Sequence, residues 1–291
     1  MRAIVLEELG RLELRDLPEP DGRTLDVRAA GINFLDVLIK RGAYPQMPEL
    51  PYVPGVEVAG EIDGRRVMAL TRWSGGGYAE QIAVEDEWLV DLPEGASFEE
   101  GAAFLMTFLT AWIPLRRAQG TVLVTAAAGG VGSAAVQVAK HVGAHVVAAA
   151  STEEKRRFAL DLGADEAVGY DELPPCDWAF DTVGGDLFTA CLQAVRPLGT
   201  AVAAGYAGGM WHDVSPTWLV GRNLTLQGFY LGRLMSHRPD VVEEAAAELV
   251  ELWQRAEIRP VVGATFPLER AEDAQMLVEE RKSVGKVVLV P

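Results

Sequence analysis

A chain of 291 residues, 49% hydrophobic and 23% charged, can bury a large core and has room for about two domains. A formal net charge of −16 excludes the basic surface that nucleic acid requires and disfavours an anionic membrane face. Two cysteines cannot form a disulfide framework, no signal-peptide core follows Met1, and no apolar run approaches the ~20 residues of a membrane span, so a cytoplasmic protein is expected.

In chain order, Ala3–Leu6 and Leu12–Leu14 read as paired strands across Gly10-Arg11, followed by a strand over Thr24–Ala30. Val56–Ile62 and Arg66–Leu70 flank Asp63-Gly64, a hairpin signal because both turn positions must tolerate φ > 0. Gly75-Gly76-Gly77 precedes a strand over Ala79–Val84, which completes a mostly β region. From Phe98 to about Leu226 strands alternate with helices. Strands are expected at Thr121–Thr125, Val146–Ala150, Ala167–Gly169, Trp178–Asp181, Thr200–Ala204 and Leu224–Gly228, and helices at Val131–Val142 and Glu153–Leu162. That rhythm predicts a doubly wound parallel sheet. The tail breaks it with a helix over Val241–Ala256 capped by Asp240, a strand over Val261–Phe266, a helix over Glu269–Arg281 and a last strand over Lys286–Val290.

The strongest chemical signal is the run from Thr121 to Gly132, which reads as strand, small-residue turn and amphipathic helix. Ala128, Gly129, Gly130, Val131 and Gly132 would put backbone N–H groups and a helix N-terminus against a pyrophosphate. Gly129 would allow close approach, and Gly132 would let the helix pack on the strand. Ala127 replaces the first glycine of the usual fingerprint. At the end of the next strand, where an NAD site places a carboxylate on the ribose, the chain has Ser151 and Thr152, with Lys155 and Arg156 one turn later. A 2′-phosphate suits that pattern, so NADPH is favoured over NADH.

All four histidines and both cysteines lie beyond residue 140, and no C-x-x-C occurs. The N-terminal region therefore cannot assemble a Cys/His zinc site, and no metal site is expected. His141 and His145 have the spacing of a metal pair but flank a helix end, where a cation is favoured in any case. No nucleophile-elbow motif is present.

Gly31-Ile32-Asn33-Phe34-Leu35-Asp36, Arg41-Gly42-Ala43-Tyr44-Pro45 and Pro54-Gly55-Val56-Glu57-Val58-Ala59-Gly60 occur in this order. Gly77-Tyr78-Ala79-Glu80, Leu109-Thr110-Ala111, the glycine loop, Asp181-Thr182-Val183-Gly184 and Gly285-Lys286 follow. Over nearly its whole length the chain thus resembles the zinc-free quinone oxidoreductases (zeta-crystallin-like) of the medium-chain dehydrogenase/reductase superfamily. The resemblance implies an α/β protein with a Rossmann sheet, residues 109–231, inserted in a GroES-like mostly-β domain, residues 1–108 and 232–291. It further implies a homodimer joined through the Rossmann sheets.

By position, the resemblance places Asn33 and Tyr44 beside the nicotinamide and Thr110 by the ribose or phosphates. Ser151, Lys155 and Tyr170 would surround the 2′-phosphate with added charge from Arg281, and Gly205 and Phe229 would border the nicotinamide. The implied reaction is NADPH-dependent reduction of a quinone. Reduction of an enoyl thioester or other enone, with Tyr44 as proton donor, and a non-catalytic NADPH-binding role remain open. Tyr44 could equally pack, and Asn33 could equally cap a helix.

Overall fold

The computed structural model describes residues 1–71, 75–84 and 88–291. The chain opens with β1 (Arg2–Glu8) and β2 (Arg11–Asp16), an antiparallel pair. β3 (Thr24–Gly31), α1 (Phe34–Lys40), β4 (Glu57–Ile62), β5 (Arg65–Leu70), β6 (Gln81–Ala83), β7 (Leu89–Asp91) and α2 (Phe98–Gly101) follow. β4 and β5 pair through a turn in which Asp63 and Gly64 both have positive φ, at 50° and 75°. This is the conformation that an Asp-Gly hairpin supplies without strain at its glycine.

The next stretch is α3 (Leu105–Leu115), β8 (Thr121–Val124), α4 (Gly130–His141), β9 (His145–Ala149), α5 (Glu153–Asp161), β10 (Glu166–Val168), β11 (Cys176–Asp181) and α6 (Gly185–Ala194). It continues through β12 (Val195–Ala203), α7 (Pro216–Arg222), β13 (Thr225–Gly228), α8 (Leu231–His237) and α9 (Pro239–Gln254). Six parallel strands form one sheet in the order β10-β9-β8-β11-β12-β13. The order reverses between β8 and β11, the switch point at whose carboxyl edge such sheets bind ligands. β8 and β9 are apolar runs because helices cover both faces.

The chain ends with β14 (Val262–Pro267), α10 (Ala271–Glu279) and β15 (Lys286–Val290). β15 pairs antiparallel with β3 through Val288 opposite Gly31 and Leu289 opposite Ala30, so the last strand joins the sheet of the first hundred residues. Two compact units result: Met1–Met106 with Arg259–Pro291, and Thr107–Ile258.

This division corrects the expected boundary at residue 232, because α8 and α9 belong to the second unit. Val242, Ala245, Leu249 and Trp253 bury one face of α9, and Glu248 accepts a 2.6 Å hydrogen bond from Trp112 Nε1 on α3. Asp240 does not cap α9 either. It lies in the first turn after Pro239, ion-paired at 2.7 Å with Arg238, the residue at the cap position.

Candidate functional site

The glycine-rich turn lies at the carboxyl end of β8, beside the switch point. Ala126 adopts a left-handed conformation at φ 46° and accepts the Gly129 N–H at 2.8 Å, which closes the turn that aims α4. Gly129 occupies the N-cap position of α4 in extended conformation, and α4 has no acidic residue in its first turn. A Cβ built on Gly129 would have only the Ala126 oxygen nearby, at 3.3 Å. A Cβ on Gly132 would collide with that oxygen and lie 2.8 Å from Ala127 Cα. Gly132 is therefore needed for α4 to approach the turn itself, a correction to the expected contact with the strand. The opening N–H groups of the helix have no intrahelical acceptor, and the helix dipole adds positive potential there. Lys140 and His141 complement the opposite end. This cradle fits a pyrophosphate.

Beside the turn, Thr125 Oγ1 donates to Asp181 Oδ1 at 2.6 Å, joining the carboxyl ends of β8 and β11. Asp181 also accepts from Gly184 N at 2.7 Å and Val183 N at 3.2 Å. Burial pushes its carboxyl above the usual range in spite of these three donors. The pair holds the chain turn after β11 against the glycine loop, a function that the sequence motif around Asp181 did not disclose.

At the end of β9, Thr152 caps α5 by accepting from Lys155 N at 3.3 Å, and Ser151 and Thr152 are exposed. Burial pushes the Lys155 ammonium below its ordinary value, against the attraction of Glu154. Arg156 donates to the Ala150 carbonyl at 3.2 Å while Glu153 holds its other edge at 2.9 Å. A Cβ on Gly169 would be 3.9 Å from the same guanidinium, so Arg156 spans the ends of β9 and β10. In the sequence it was only one of two cations after the strand. Tyr170, the next residue beyond Gly169, packs on the core of the second unit and lines a cavity of about 490 Å³ that also includes Arg196 and Arg222.

Thr110 is buried on α3. Gly205 follows β12, where a Cβ would be 2.9 Å from the Thr182 oxygen, and the half-buried Phe229 donates its N–H to Ala203 O at 2.9 Å. The second unit thus gathers the glycine loop, Ser151, Thr152 and Lys155 along one edge of its sheet.

Asn33, Tyr44 and Arg281 lie in the first unit. Arg281 is exposed, in a left-handed turn after α10 at φ 58°. Tyr44 is half-buried against the apolar core. Asn33 is buried at the N-terminus of α1, where its backbone N–H donates to Asp36 Oδ2 at 2.9 Å. Asp36, in the first turn of α1, accepts from Gly55 N and Tyr78 Oη as well, each at 3.2 Å.

Among the described residues no group of three or more His, Cys, Asp or Glu could hold a metal ion. His141 faces Glu257 and His145 faces Glu166, each at 2.9 Å, so the two rings serve different carboxylates. No helix of the described residues is long and apolar enough to cross a membrane.

The family model described as alcohol dehydrogenase GroES-like domain matches residues 19–94, and that described as zinc-binding dehydrogenase matches residues 130–251. A quinone oxidoreductase-like protein 2 homolog from Nematostella vectensis is 32% identical, over 99% of this chain and 88% of the relative. The chain belongs to the quinone oxidoreductase family of medium-chain dehydrogenases/reductases. Among solved structures, the quinone oxidoreductase of Thermus thermophilus, studied alone and with NADPH, is 43% identical with a TM-score of 0.93 over 100% of both chains. The Escherichia coli quinone oxidoreductase complexed with NADPH is 27% identical with a TM-score of 0.91, again over 100% of both. The GroES-like and Rossmann architecture of the family is that of the two units described above.

Asp36 makes the stability of the fold depend on pH. Burial raises its carboxyl from 3.8 to about 6, against hydrogen bonds from Asn33 N, Gly55 N and Tyr78 Oη and the charge of Lys286. The folded state therefore holds its proton more tightly than the unfolded state. Its contribution to stability is full below about 3.8 and is lost as the pH rises through about 6. The unfolding free energy of wild type minus that of D36N, from denaturant titrations, should fall across that window and then level. A difference that does not change with pH would contradict the assignment.

Proposed function

We propose that this chain is a zinc-independent NADPH:quinone oxidoreductase. The observation that carries the reading is the edge running from the glycine loop to the end of β9. A pyrophosphate cradle there adjoins hydroxyls and a held guanidinium, with no carboxylate at the ribose position. Family membership and relatives solved with NADPH support it.

NADPH, when bound, supplies a hydride, and the remaining work is binding, orientation and exclusion of water. Backbone N–H groups of the segment from Ala128 to Gly132, apart from the Gly129 N–H that Ala126 O accepts, bind the pyrophosphate. Ser151, Thr152 and Lys155 take the 2′-phosphate, joined by Arg156 and Tyr170. A phosphate there compensates the burial that lowers the Lys155 pKa. Thr110 lies along the ribose or phosphates, and Gly205 and Phe229 border the nicotinamide. On this reading Asn33 and Tyr44 serve the reacting end, where a flat conjugated acceptor packs. A quinone needs little Lewis-acid help because its reduced ring delocalises the new charge.

The test is loss of reduced-nicotinamide absorbance with benzoquinone, phenanthrenequinone and crotonyl-CoA as acceptors, using NADPH and NADH in parallel. Quinone turnover with NADPH preferred is expected. The Gly129→Asp variant should lose at least about tenfold in NADPH affinity, since the carboxylate faces the pyrophosphate. Turnover of crotonyl-CoA alone would replace the quinone assignment, and unchanged NADPH affinity in the variant would remove the phosphate site.

The same reading includes a homodimer joined at the outer edge of the Rossmann sheet. β13 is the terminal strand, and a bare edge is a template for pairing. Leu198 and Val220 are 87% and 76% exposed, and Leu198 N bonds Asn223 O at 2.7 Å, which brings the two segments together. Val220→Glu should shift the protein from dimer to monomer in light scattering; a V220E dimer as tight as wild type would contradict this edge.

A further inference from the structure

Beneath Asn33 lies an ion pair sealed from water. Lys286, the first residue of β15, is 4% exposed, and Glu57, the first of β4, is fully buried. Lys286 Nζ donates to Glu57 Oε2 at 2.7 Å and to Asn33 Oδ1 at 2.6 Å. Glu57 Oε1 accepts from Met106 N at 2.8 Å, so both carboxylate oxygens are engaged. Gly31 makes room for the pair: a Cβ there would lie 2.9 Å from Glu57 Oε2 and 3.0 Å from Lys286 Cε.

Buried ion pairs are seldom the most stabilising way to fill a core, because desolvation offsets most of the attraction. This one has a directional consequence. An ammonium can only donate, so the carboxamide must turn Oδ1 towards Lys286. Asn33 Nδ2 is left with two long contacts, 3.3 Å to Gly31 O and 3.5 Å to Glu57 Oε2. Neither is a strong bond, and the amide has N–H alone to offer a ligand.

We propose that Lys286 is a positioning residue that acts through Asn33, locking the carboxamide so that it presents a donor to an oxygen of the bound acceptor. The inference rests on Asn33 belonging to the reductive site. The polarity suits the chemistry, because negative charge builds on an acceptor carbonyl oxygen as it is reduced, and a fixed donor stabilises it while an acceptor atom would oppose it. Glu57 holds the ammonium in place and compensates its charge.

The experiment compares wild type, N33A, N33D, K286R, the double variant E57Q/K286M and its combination with N33A. Each is measured for quinone kcat and KM, for NADPH Kd by fluorescence titration and for Tm. The double variant removes both charges at nearly constant volume, so no lone charge is left buried. It should lose about tenfold or more in quinone kcat/KM, the order expected for a misdirected transition-state donor. NADPH Kd should stay within about twofold, and adding N33A should cause no further loss, as for residues acting as one unit. K286R should recover most of the activity. N33D keeps an oxygen for Lys286 but has no N–H, so it should lose as much as N33A; this comparison serves even if E57Q/K286M does not fold. Losses that add in the combined variant, or an N33D as active as wild type, would overturn the proposal while leaving Asn33 in the site. Wild-type activity in N33A would remove Asn33 from the site and the proposal with it.

Discussion

The close approach of α4 to the turn at Ala126 is the contact on which the second unit's chemistry depends. With a side chain at residue 132, the helix would have to withdraw from the Ala126 oxygen, and its first N–H groups would no longer line the mouth of the turn. Thr125 and Asp181 secure the same turn from the neighbouring strand. Helix dipole, unpaired N–H groups and an uncluttered Gly129 then converge on one spot next to the point where the strand order reverses. An anion site follows from backbone geometry alone, and on the proposed reading residues 151–156 set the preference between dinucleotides.

The first unit solves a different problem. Its sheet is completed by strands from the far end of the chain, and around Asn33 it buries two polar clusters. One is Asp36 in the first turn of α1, bonded by Asn33 N, Gly55 N and Tyr78 Oη; the other is Lys286 with Glu57 and Asn33 Oδ1. Asn33 belongs to both, through its backbone in one and its side chain in the other. A residue held from two sides costs little further entropy when it meets a ligand, which is the value of preorganisation.

Much of this was legible in the sequence for definite reasons. The strand, small-residue turn and helix from Thr121 to Val142 carry their signal within one local stretch, and Asp63-Gly64 specifies its own turn. α3 carries no such signal, because Leu105–Leu115 is apolar on nearly every side and shows no amphipathic period. The placement of α8 and α9 is not legible in the sequence, because membership of a unit is set by contacts such as Trp112 to Glu248, which no local pattern encodes. Asp240 has the residue type of a cap, but Pro239 takes the first helical position ahead of it. Lys286 and Asn33 are 253 residues apart, so the orientation of the amide exists only in the folded chain. Arg156 stood in plain view as a cation, but its grip on the Ala150 carbonyl depends on the turn after β9.

The central claim is that the edge from the glycine loop to the end of β9 holds NADPH. Amide hydrogen exchange with and without NADPH tests it directly. The account predicts added protection in residues 126–133 and 150–157, with NADH protecting the first segment more than the second. Protection confined to other segments, or equal protection of 150–157 by both cofactors, would contradict it.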